Sequence, residues 1–572
     1  MLFVSIGISY ADFVEEAQVK DIAQRWFSST DFNIELSADR TLYYVNSESG
    51  EGWLIVSAEN STTPVIAYSY TGNINPSNLP SNAKAWIEAS YEKPVQEARL
   101  KQLKATEEVR KMWKSAGVRT KAASGKLLST ANWDQDEPYN LYCPTVRENG
   151  RNVRALTGCV ATSMAIVVRY HQWPQRGIGS TEKYSFKSLD RVTVNMPSID
   201  LSEHEYDYSL MPLNYTSTAG TSQKQAVSRL MADIGSAAKL EYGYAEGTGG
   251  YSSDIANALI KNFGYKECAT ELYRSAYTDA EWLAILKGEI DANRPVLYGG
   301  YSNESGGHQY VVDGYDISGY VHVNWGWSGE ANGYFTFMME VPGDYHFELG
   351  SSIIAYLEPD KDGSNTGNIQ GGPLMLYDYN GNSAGVTLSS GSINDKSFTL
   401  KIQGIANLDE YNDYVGKARA AVIDYRGEFK EAISNETNYT LTKGNIDVKG
   451  FSLSCTAGNY SIGDRVTVQF LDKDGEWRAV YPDSENSKGS HYVAVWDTPY
   501  IITEPHYSTG DNFVLHLIHG NSLISSYTWT IDGKTQSHIS SAPLTSGKHT
   551  IEVKVKLANK ENYTIKKVIT VE

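Results

Sequence analysis

The sequence is 572 residues long, which is too much chain for one hydrophobic core and predicts roughly three to five domains. Its net charge of −18 argues against nucleic acids and anionic membrane surfaces as partners. The four cysteines form no CxxC pair and the eleven histidines no HExxH motif, so the sequence predicts no disulfide framework, no metal site and no cofactor. No internal stretch reaches the roughly 18 apolar residues of a membrane span.

The first eleven residues are apolar and end in small side chains at Ala11. This pattern is typical of the latter half of a secretory signal sequence that is removed after Ala11. The basic start of such a signal is missing, which is expected if the natural start of the chain lies upstream of Met1. The alternative is that these residues form a buried N-terminal strand. We interpret residues 1–11 as a signal peptide remnant and expect the protein to be exported.

Residues 12–123 read as a mixed helix and strand domain. In chain order the periodicity predicts a helix between Val14 and Phe27, strands over 41–45 and 52–57, and a charged helix over 95–113. A basic tract rich in small residues follows over 114–126. Exposed tracts of this kind are where proteolytic nicking concentrates, so this tract is the predicted cleavage segment.

Cys159 lies where a loop of small residues enters an apolar helix, within Gly158-Cys159-Val160-Ala161. The unpaired N–H groups and the positive dipole end of a helix favour a thiolate, so this position predicts a lowered pKa and a nucleophile. A cysteine near a helix start is more often a small hydrophobic residue, however. Cys159 alone therefore does not establish an enzyme.

His308 and Asn324 are the residues that could complete such a site. Residues 308–315 and 320–325 read as two strands joined by a short turn, and an antiparallel hairpin places His308 and Asn324 on neighbouring strands. An asparagine beside an imidazole can fix its tautomer and orientation. The register of the two strands does not follow from the sequence.

Three further residues support this pair. Gly307 immediately precedes His308 in a glycine loop, and Trp325 and Trp327 follow Asn324. The two indoles could shield the hydrogen bond between His308 and Asn324 from water. Ordinary aromatic packing in a sheet is at least as good an explanation for Trp327.

Motifs in several segments, in this order, resemble the streptopain family of secreted bacterial cysteine peptidases: residues 133–140, 143–144, 157–162, 170–174, 307–308 and 322–327. The resemblance implies a papain-like fold in which Cys159 is the nucleophile and His308 is the general base and then acid. It also implies that Asn324 orients the histidine and that Gln135 is the side-chain donor of the oxyanion hole. The substrates it implies are proteins or peptides, with a hydrophobic residue preferred two positions before the cleaved bond.

Gln135 also fits this role physically. Acyl transfer places negative charge on the former carbonyl oxygen, and one donor aimed at that oxygen contributes roughly 10²- to 10³-fold in rate. Without the resemblance, a glutamine flanked by Asp134 and Asp136 would read as a solvated loop residue. The Cys-Gly-Ser-Cys-Trp signature of papain itself is absent, so papain subsites do not transfer to this chain.

The resemblance extends to residues 12–123, which are similar to the inhibitory prodomain of the family and would act as an intramolecular inhibitor. The fold class predicted for the whole chain is therefore α+β: this prodomain, a papain-like catalytic domain over 124–358, and two β-sandwich modules over 372–497 and 498–572, the last immunoglobulin-like. The modules are predicted from short strands separated by turns. His516 lies in one such strand, predicted over 513–518, so a metal at His516 and His519 is not expected.

Two functions compete at this stage. The favoured one is a secreted cysteine endopeptidase made as a zymogen. The alternative is a binding or adhesion protein whose peptidase-like domain is inactive. The presence of Cys159, His308, Asn324 and Gln135 together favours the enzyme, since a decayed enzyme would more often have lost one of them.

Overall fold

The structure, a computed structural model, describes residues 12–100, 103, 105–116, 125–243, 247–250, 252–266, 268–274, 277, 279–302, 306–337, 351–363, 374–379, 384–407, 412–424, 429–461, 463–471, 475, 477–480, 490–496, 498–503, 507–510, 512–518, 524–536, 540–557 and 560–572. The predicted signal remnant, residues 1–11, lies outside these ranges. So does the middle of the basic tract, residues 117–124.

The N-terminal region contains four α-helices and four strands among its described residues. They are α1 (Glu16–Trp26), β1 (Phe32–Leu36), β2 (Leu42–Ser47), β3 (Trp53–Ser57), β4 (Val65–Ser69), α2 (Ser81–Ile87), α3 (Lys93–Leu100) and α4 (Glu107–Ser115), with a π-helical turn over Glu88–Glu92. The single helix predicted over 95–113 is wrong. It is two helices, because the Thr106 hydroxyl accepts from the Val109 N–H at 3.1 Å and caps the start of α4.

The central region supplies the remaining α-helices of the described chain and eleven strands. They are β5 (Lys126–Leu127), β6 (Thr145–Glu148), β7 (Arg151–Arg154), α5 (Gly158–His171), β8 (Tyr184–Lys187), β9 (Thr193–Met196), α6 (Thr221–Ala237), α7 (Ser252–Phe263), β10 (Thr270–Tyr273), α8 (Asp279–Asp291), β11 (Val296–Ser302), β12 (Gly306–Tyr315), β13 (Tyr320–Asn324), β14 (Gly333–Thr336) and β15 (Ser352–Ala355). The mixture of helices and sheets confirms the predicted α+β class.

One antiparallel sheet runs through both regions. Its order is β1-β2-β3-β4-β14-β13-β12-β11-β15-β10, and β5 pairs with β12. The junction is the pairing of β4 with β14, where Tyr68 lies opposite Tyr334 and Ala67 opposite Phe335. Both β3 and β4 are buried along their whole length because α1 packs on one face of them and α2 on the other.

The central strands of this sheet separate two apolar clusters. Val311 and Leu297 belong to the cluster that contains α5, which carries Cys159. Tyr310 and Val312 belong to the cluster that contains α2 and α8. Successive side chains of a strand point to opposite faces, so each residue of β12 belongs either to the face of α5 or to the face of α2. We call these the α5 face and the prodomain face.

The C-terminal part of the chain is β-rich, as predicted. Its strands are β16 (Met375–Leu376), β17 (Gly385–Ser390), β18 (Ser397–Gln403), β19 (Ile405–Ala406), β20 (Tyr414–Ile423), β21 (Phe429–Ala432), β22 (Thr437–Leu441), β23 (Ile446–Asp447), β24 (Phe451–Thr456), β25 (Arg465–Leu471), β26 (Trp477–Ala479), β27 (Tyr492–Ala494), β28 (Tyr500–Ile502), β29 (Asn512–Val514), β30 (His516–Ile518), β31 (Ile524–Ile531), β32 (Lys534–Gln536), β33 (Ser540–Pro543), β34 (Gly547–Leu557) and β35 (Asn562–Val571).

These strands enclose two separate apolar clusters. The first runs from Leu374 to Val495 and the second from Ile501 to Val571. The strand predicted over 513–518 is wrong in one respect, since it is two short strands, β29 and β30, that pair with β33 and β28 respectively. The domain boundaries predicted from the sequence remain predictions.

Candidate active site

Cys159 is the second residue of α5, at the helix N-terminus where the sequence placed it. Gly158 has a φ of +86°, and a Cβ built on it would lie 2.7 Å from the Thr248 Cβ, so only glycine fits at the helix start. The predicted low thiol pKa is wrong for this form of the chain. Burial raises the pKa of Cys159, and hydrogen bonds from the backbone of Gln309 and Val160 and from its own do not offset it.

Gln135 lies next to the start of α5. Its carbonyl oxygen accepts hydrogen bonds from the N–H of Thr157 at 3.0 Å and from the Thr157 hydroxyl at 3.3 Å. The Gln135 residue is 5% exposed. Because Thr157 directly precedes Gly158 and Cys159, these bonds hold the Gln135 loop against the end of the helix that carries the thiol.

Asn324 also faces α5. It lies opposite Val311, a residue of the α5 face, whereas its neighbour Val323 packs on the prodomain face. Its Nδ2 donates to the Ala131 carbonyl at 2.9 Å, and the residue is 1% exposed. Directly after it, Gly326 approaches Thr162 of α5 so closely that an added Cβ would lie 3.1 Å from the Thr162 Cγ2. The loop after β13 therefore rests on the first turns of α5.

Strand alternation assigns His308 to the prodomain face of the sheet. It lies opposite Gly300 on β11, and the pairing runs without irregularity from there to Val312. The alternation of side chains therefore places His308 with Tyr310 on the prodomain face. The backbone that lies within hydrogen-bonding reach of the Cys159 sulfur is that of the next residue, Gln309. Gln309 and Asn324 thus lie on the α5 face, the Gln135 backbone is bonded to the residue before α5, and strand alternation assigns His308 to the opposite face.

Trp325 packs on the prodomain face as well. It is 1% exposed, and its ring centroid lies 4.7 Å from that of Tyr310. Its carbonyl accepts from the Asn82 side chain at 2.8 Å, so the N-terminal region holds the residue that follows Asn324. Gly307, the other supporting residue, lies opposite Tyr301 on β11.

The N-terminal region reaches the site mainly through aromatic side chains that sequence reasoning missed. Trp86 of α2 packs edge-on against Tyr298 and Tyr310, with centroids 5.7 and 5.8 Å apart, and lies 5.2 Å from Phe337. The Tyr91 hydroxyl donates to the Thr336 carbonyl at 2.7 Å. The only available sequence signal was the density of aromatic residues in both regions.

Two polar residues near Asn324 were also missed. The Thr130 hydroxyl accepts from the Asn324 Nδ2 at 3.1 Å and donates to the carboxylate of Asp313, which is 2% exposed. No motif marks either residue in the sequence. Their contact depends on an irregularity of β12 that a strand pattern does not predict.

An open cleft of about 470 Å³ is lined in part by the residues on either side of Thr248, and Thr248 itself packs on Gly158 at the start of α5. Its lining includes Gly247, Gly249, Tyr242 and Leu189.

Within the described ranges, no group of three or more His, Cys, Asp or Glu side chains is placed to hold a metal ion. No helix in that part of the chain is long and apolar enough to cross a membrane.

Comparison with known proteins gives matches in both the N-terminal and central regions. The Peptidase C10 family profile matches residues 133–335, and the Spi protease inhibitor profile matches residues 11–93. Streptopain of Streptococcus pyogenes is 30% identical over 312 residues, which are 53% of this chain and 74% of streptopain. The thiol protease/hemagglutinin PrtT of Porphyromonas gingivalis is 25% identical over 398 residues, 67% of this chain and 43% of that protein.

Two solved structures are also similar. A prointerpain A fragment from Prevotella intermedia aligns with a TM-score of 0.48 at 29% identity and covers 58% of this chain and 100% of that fragment. Active interpain A from the same organism aligns with a TM-score of 0.36 at 34% identity and covers 41% of this chain and 93% of its own. The identity to streptopain, together with the share of streptopain that is covered, shows that this chain belongs to the peptidase C10 family and is a cysteine peptidase preceded by a Spi-type prodomain.

Proposed function

We propose that the protein is a secreted bacterial endopeptidase that is made as a latent zymogen and uses Cys159, His308, Asn324 and Gln135. One observation carries the proposal. The Gln135 backbone is bonded to Thr157, directly before α5, and Asn324 lies on the α5 face, whereas strand alternation assigns His308 to the face that the prodomain covers. A thiol beside oxyanion-hole donors, with its base held elsewhere, is what a latent cysteine peptidase requires.

In the active form, His308 takes the proton of Cys159 and leaves a thiolate and an imidazolium. The thiolate attacks the carbonyl carbon of the scissile bond, and the charge on oxygen is stabilised by the Gln135 amide and the Cys159 N–H. The carbon–nitrogen bond then breaks as His308 returns its proton to the leaving amine. Water, deprotonated by His308, attacks the thioester, and Cys159 leaves as the second product is released. Asn324 holds the imidazole through an Oδ1 acceptor.

Latency follows from the alternation of β12. A change of one residue in register, or a rotation of the segment around Gly307 and His308, moves the imidazole from the prodomain face to the α5 face. Gly299 and Gly300 lie opposite this segment on β11 and leave the backbone free to move. Trp86 packs on Tyr310, two residues from His308, and so opposes that change while the prodomain is bound.

Activation is therefore proteolytic in this proposal. Cleavage between about Thr120 and Leu127, at the C-terminal end of the basic tract, frees the prodomain. Export rests on the apolar first eleven residues, and the preference for a hydrophobic residue two positions before the cleaved bond rests on the family resemblance. A peptide-library cleavage profile of the processed enzyme tests that preference directly.

The zymogen proposal is tested by incubating residues 12–572 as wild type and as Cys159→Ala, with N-terminal sequencing of the products. We expect the wild type to gain activity as it converts to a form that begins within the predicted segment. The Cys159→Ala chain should stay intact until active enzyme is added. Cys455→Ala, which removes a buried thiol of the C-terminal region, is the matched control and should behave as wild type. Full activity of the uncut wild type would contradict the inhibitory role of residues 12–123.

A further inference from the structure

Asp313 is an extra residue in β12. Val312 lies opposite Val323 and Gly314 lies opposite His322, so Asp313 has no partner position on β13. A bulge of this kind commonly re-aims a side chain near an active site. Here it places the buried carboxylate where the His322 Nδ1 lies 2.5 Å from one oxygen and the Thr130 hydroxyl donates to the other.

The hydrogen bonds of Thr130 fix which way the amide of Asn324 points. A hydroxyl has a single hydrogen to donate, and that of Thr130 is used on the Asp313 carboxylate. Its oxygen can then only accept from Asn324, which it does from Nδ2 at 3.1 Å. The Ala131 carbonyl also accepts from this Nδ2, and the Gly326 N–H donates to the Oδ1 at 3.2 Å. All three partners agree on one orientation of the amide.

This orientation is the one that the proposed reaction needs. A carbonyl oxygen has two lone pairs, so the Asn324 Oδ1 keeps one for a ring N–H of His308 after accepting from Gly326. The opposite orientation would present an NH₂ group to that N–H, donor against donor. We infer that Thr130 and Asp313 are positioning residues that hold the Asn324 amide with its oxygen available to the catalytic histidine. The inference rests on the proposed function, because these residues act only through Asn324.

The position of Thr130 links this network to maturation. Thr130 follows β5, and the N–H of Leu128 donates to the Asp313 carbonyl at 2.8 Å. The segment that becomes the N-terminus of the processed enzyme is thus tied to the bulge by both backbone and side chain. Processing within the predicted segment, before Leu128, leaves the network whole.

The test is a double-mutant cycle in the processed enzyme, with kcat and KM measured on a peptide substrate. We expect Thr130→Val, which keeps the shape and removes the hydroxyl, to lower kcat roughly 5- to 20-fold with little change in KM. Thr130→Ser, which keeps the hydroxyl, should have a kcat close to that of the wild type. In an Asn324→Ala background, Thr130→Val should have no further effect, because the group it positions is gone. Ser129→Ala, which changes an exposed neighbouring hydroxyl, is the control and should match wild type.

The outcomes separate this inference from the proposed function. Wild-type kcat in Asn324→Ala would remove Asn324 from the mechanism, and the positioning role with it. A large loss in Asn324→Ala combined with wild-type kcat in Thr130→Val would overturn the inference alone. So would an equal loss from Thr130→Val in both backgrounds, which indicates a general structural effect. If Thr130→Val does not fold, Asp313→Asn is measured in the same cycle, with the same non-additive loss expected.

Discussion

Removing the indole of Trp86 should release the latent state. Trp86 is 9% exposed, and three of its aromatic neighbours, Tyr298, Tyr310 and Phe337, belong to the central region. Truncating a buried tryptophan costs about 3–5 kcal/mol. Part of this cost falls on the prodomain itself, because the indole N–H lies 3.0 Å from the Tyr91 hydroxyl oxygen. We assign about 2–3 kcal/mol of this cost to the docking of the prodomain on the central region. Its loss in Trp86→Ala shifts the equilibrium towards the open state about 30- to 150-fold.

The assay is the rate at which an epoxysuccinyl reagent labels Cys159 in the uncut chain, because that rate follows the open fraction. Trp86→Ala should raise the labelling rate by the same factor as the open fraction, about 30- to 150-fold, with the rate of the processed enzyme as the upper limit. Trp113→Ala is the control, since its indole N–H donates to the Thr62 carbonyl within the prodomain and its ring packs away from the prodomain face. Equal acceleration by both variants would refute the docking argument, because general loosening of the prodomain would then explain the result.

Three other predictions concern single residues. Gly158→Ala should lower the thermal midpoint and abolish activity, because the added Cβ would clash with Thr248. Gly247→Ala is the control: Gly247 also has a positive φ, but no atom lies within 4 Å of its added Cβ, so it should lower the midpoint and the activity much less. Equal losses in the two variants would show that the contact with Thr248 is unimportant. Burial, with neighbouring carboxylates, raises the pKa of Glu92 to about 7, so the folded prodomain favours the protonated side chain. The stability that this protonated form contributes is complete below about pH 4.5 and is lost as the pH rises through 7. Glu92→Gln should flatten the fall of the prodomain's thermal midpoint between pH 5 and pH 8, and an unchanged slope would contradict this. Gln135→Ala should lose roughly 10²- to 10³-fold in kcat with little change in KM, and an unchanged kcat would remove it from the site.

The start of α5 and the hairpin of β12 and β13 could be predicted because each depends on local chemistry. A run of small residues before an apolar helix positions Cys159, and two alternating runs separated by a turn place His308 and Asn324 on adjacent strands. The face on which His308 lies could not be predicted. It depends on the register of β12 against β11 and on which residues pack against each face, and both are tertiary properties.

The sequence analysis also missed that one sheet runs through both the prodomain and the central region, although the sequence contains a sign of it. β4 has no charged residue along its length and would be an exposed edge strand if the prodomain stood alone. Natural edge strands are usually covered or interrupted by charge, so an edge strand without any charged residue indicates a partner strand. The contact of Thr130 with Asp313 had no such sign, since it depends on a bulge of one residue.

The central claim is that His308 lies away from Cys159 in the full chain and meets it after the prodomain leaves. The most direct measurement is the pH dependence of iodoacetamide alkylation of Cys159 in the uncut and the processed forms. In the uncut chain the rate should rise only in the alkaline range, because burial raises the pKa of Cys159. In the processed enzyme the rate should already be on a plateau well below the ordinary thiol value of about 8.5, because the imidazolium of His308 stabilises the thiolate. Identical profiles for the two forms would contradict the claim.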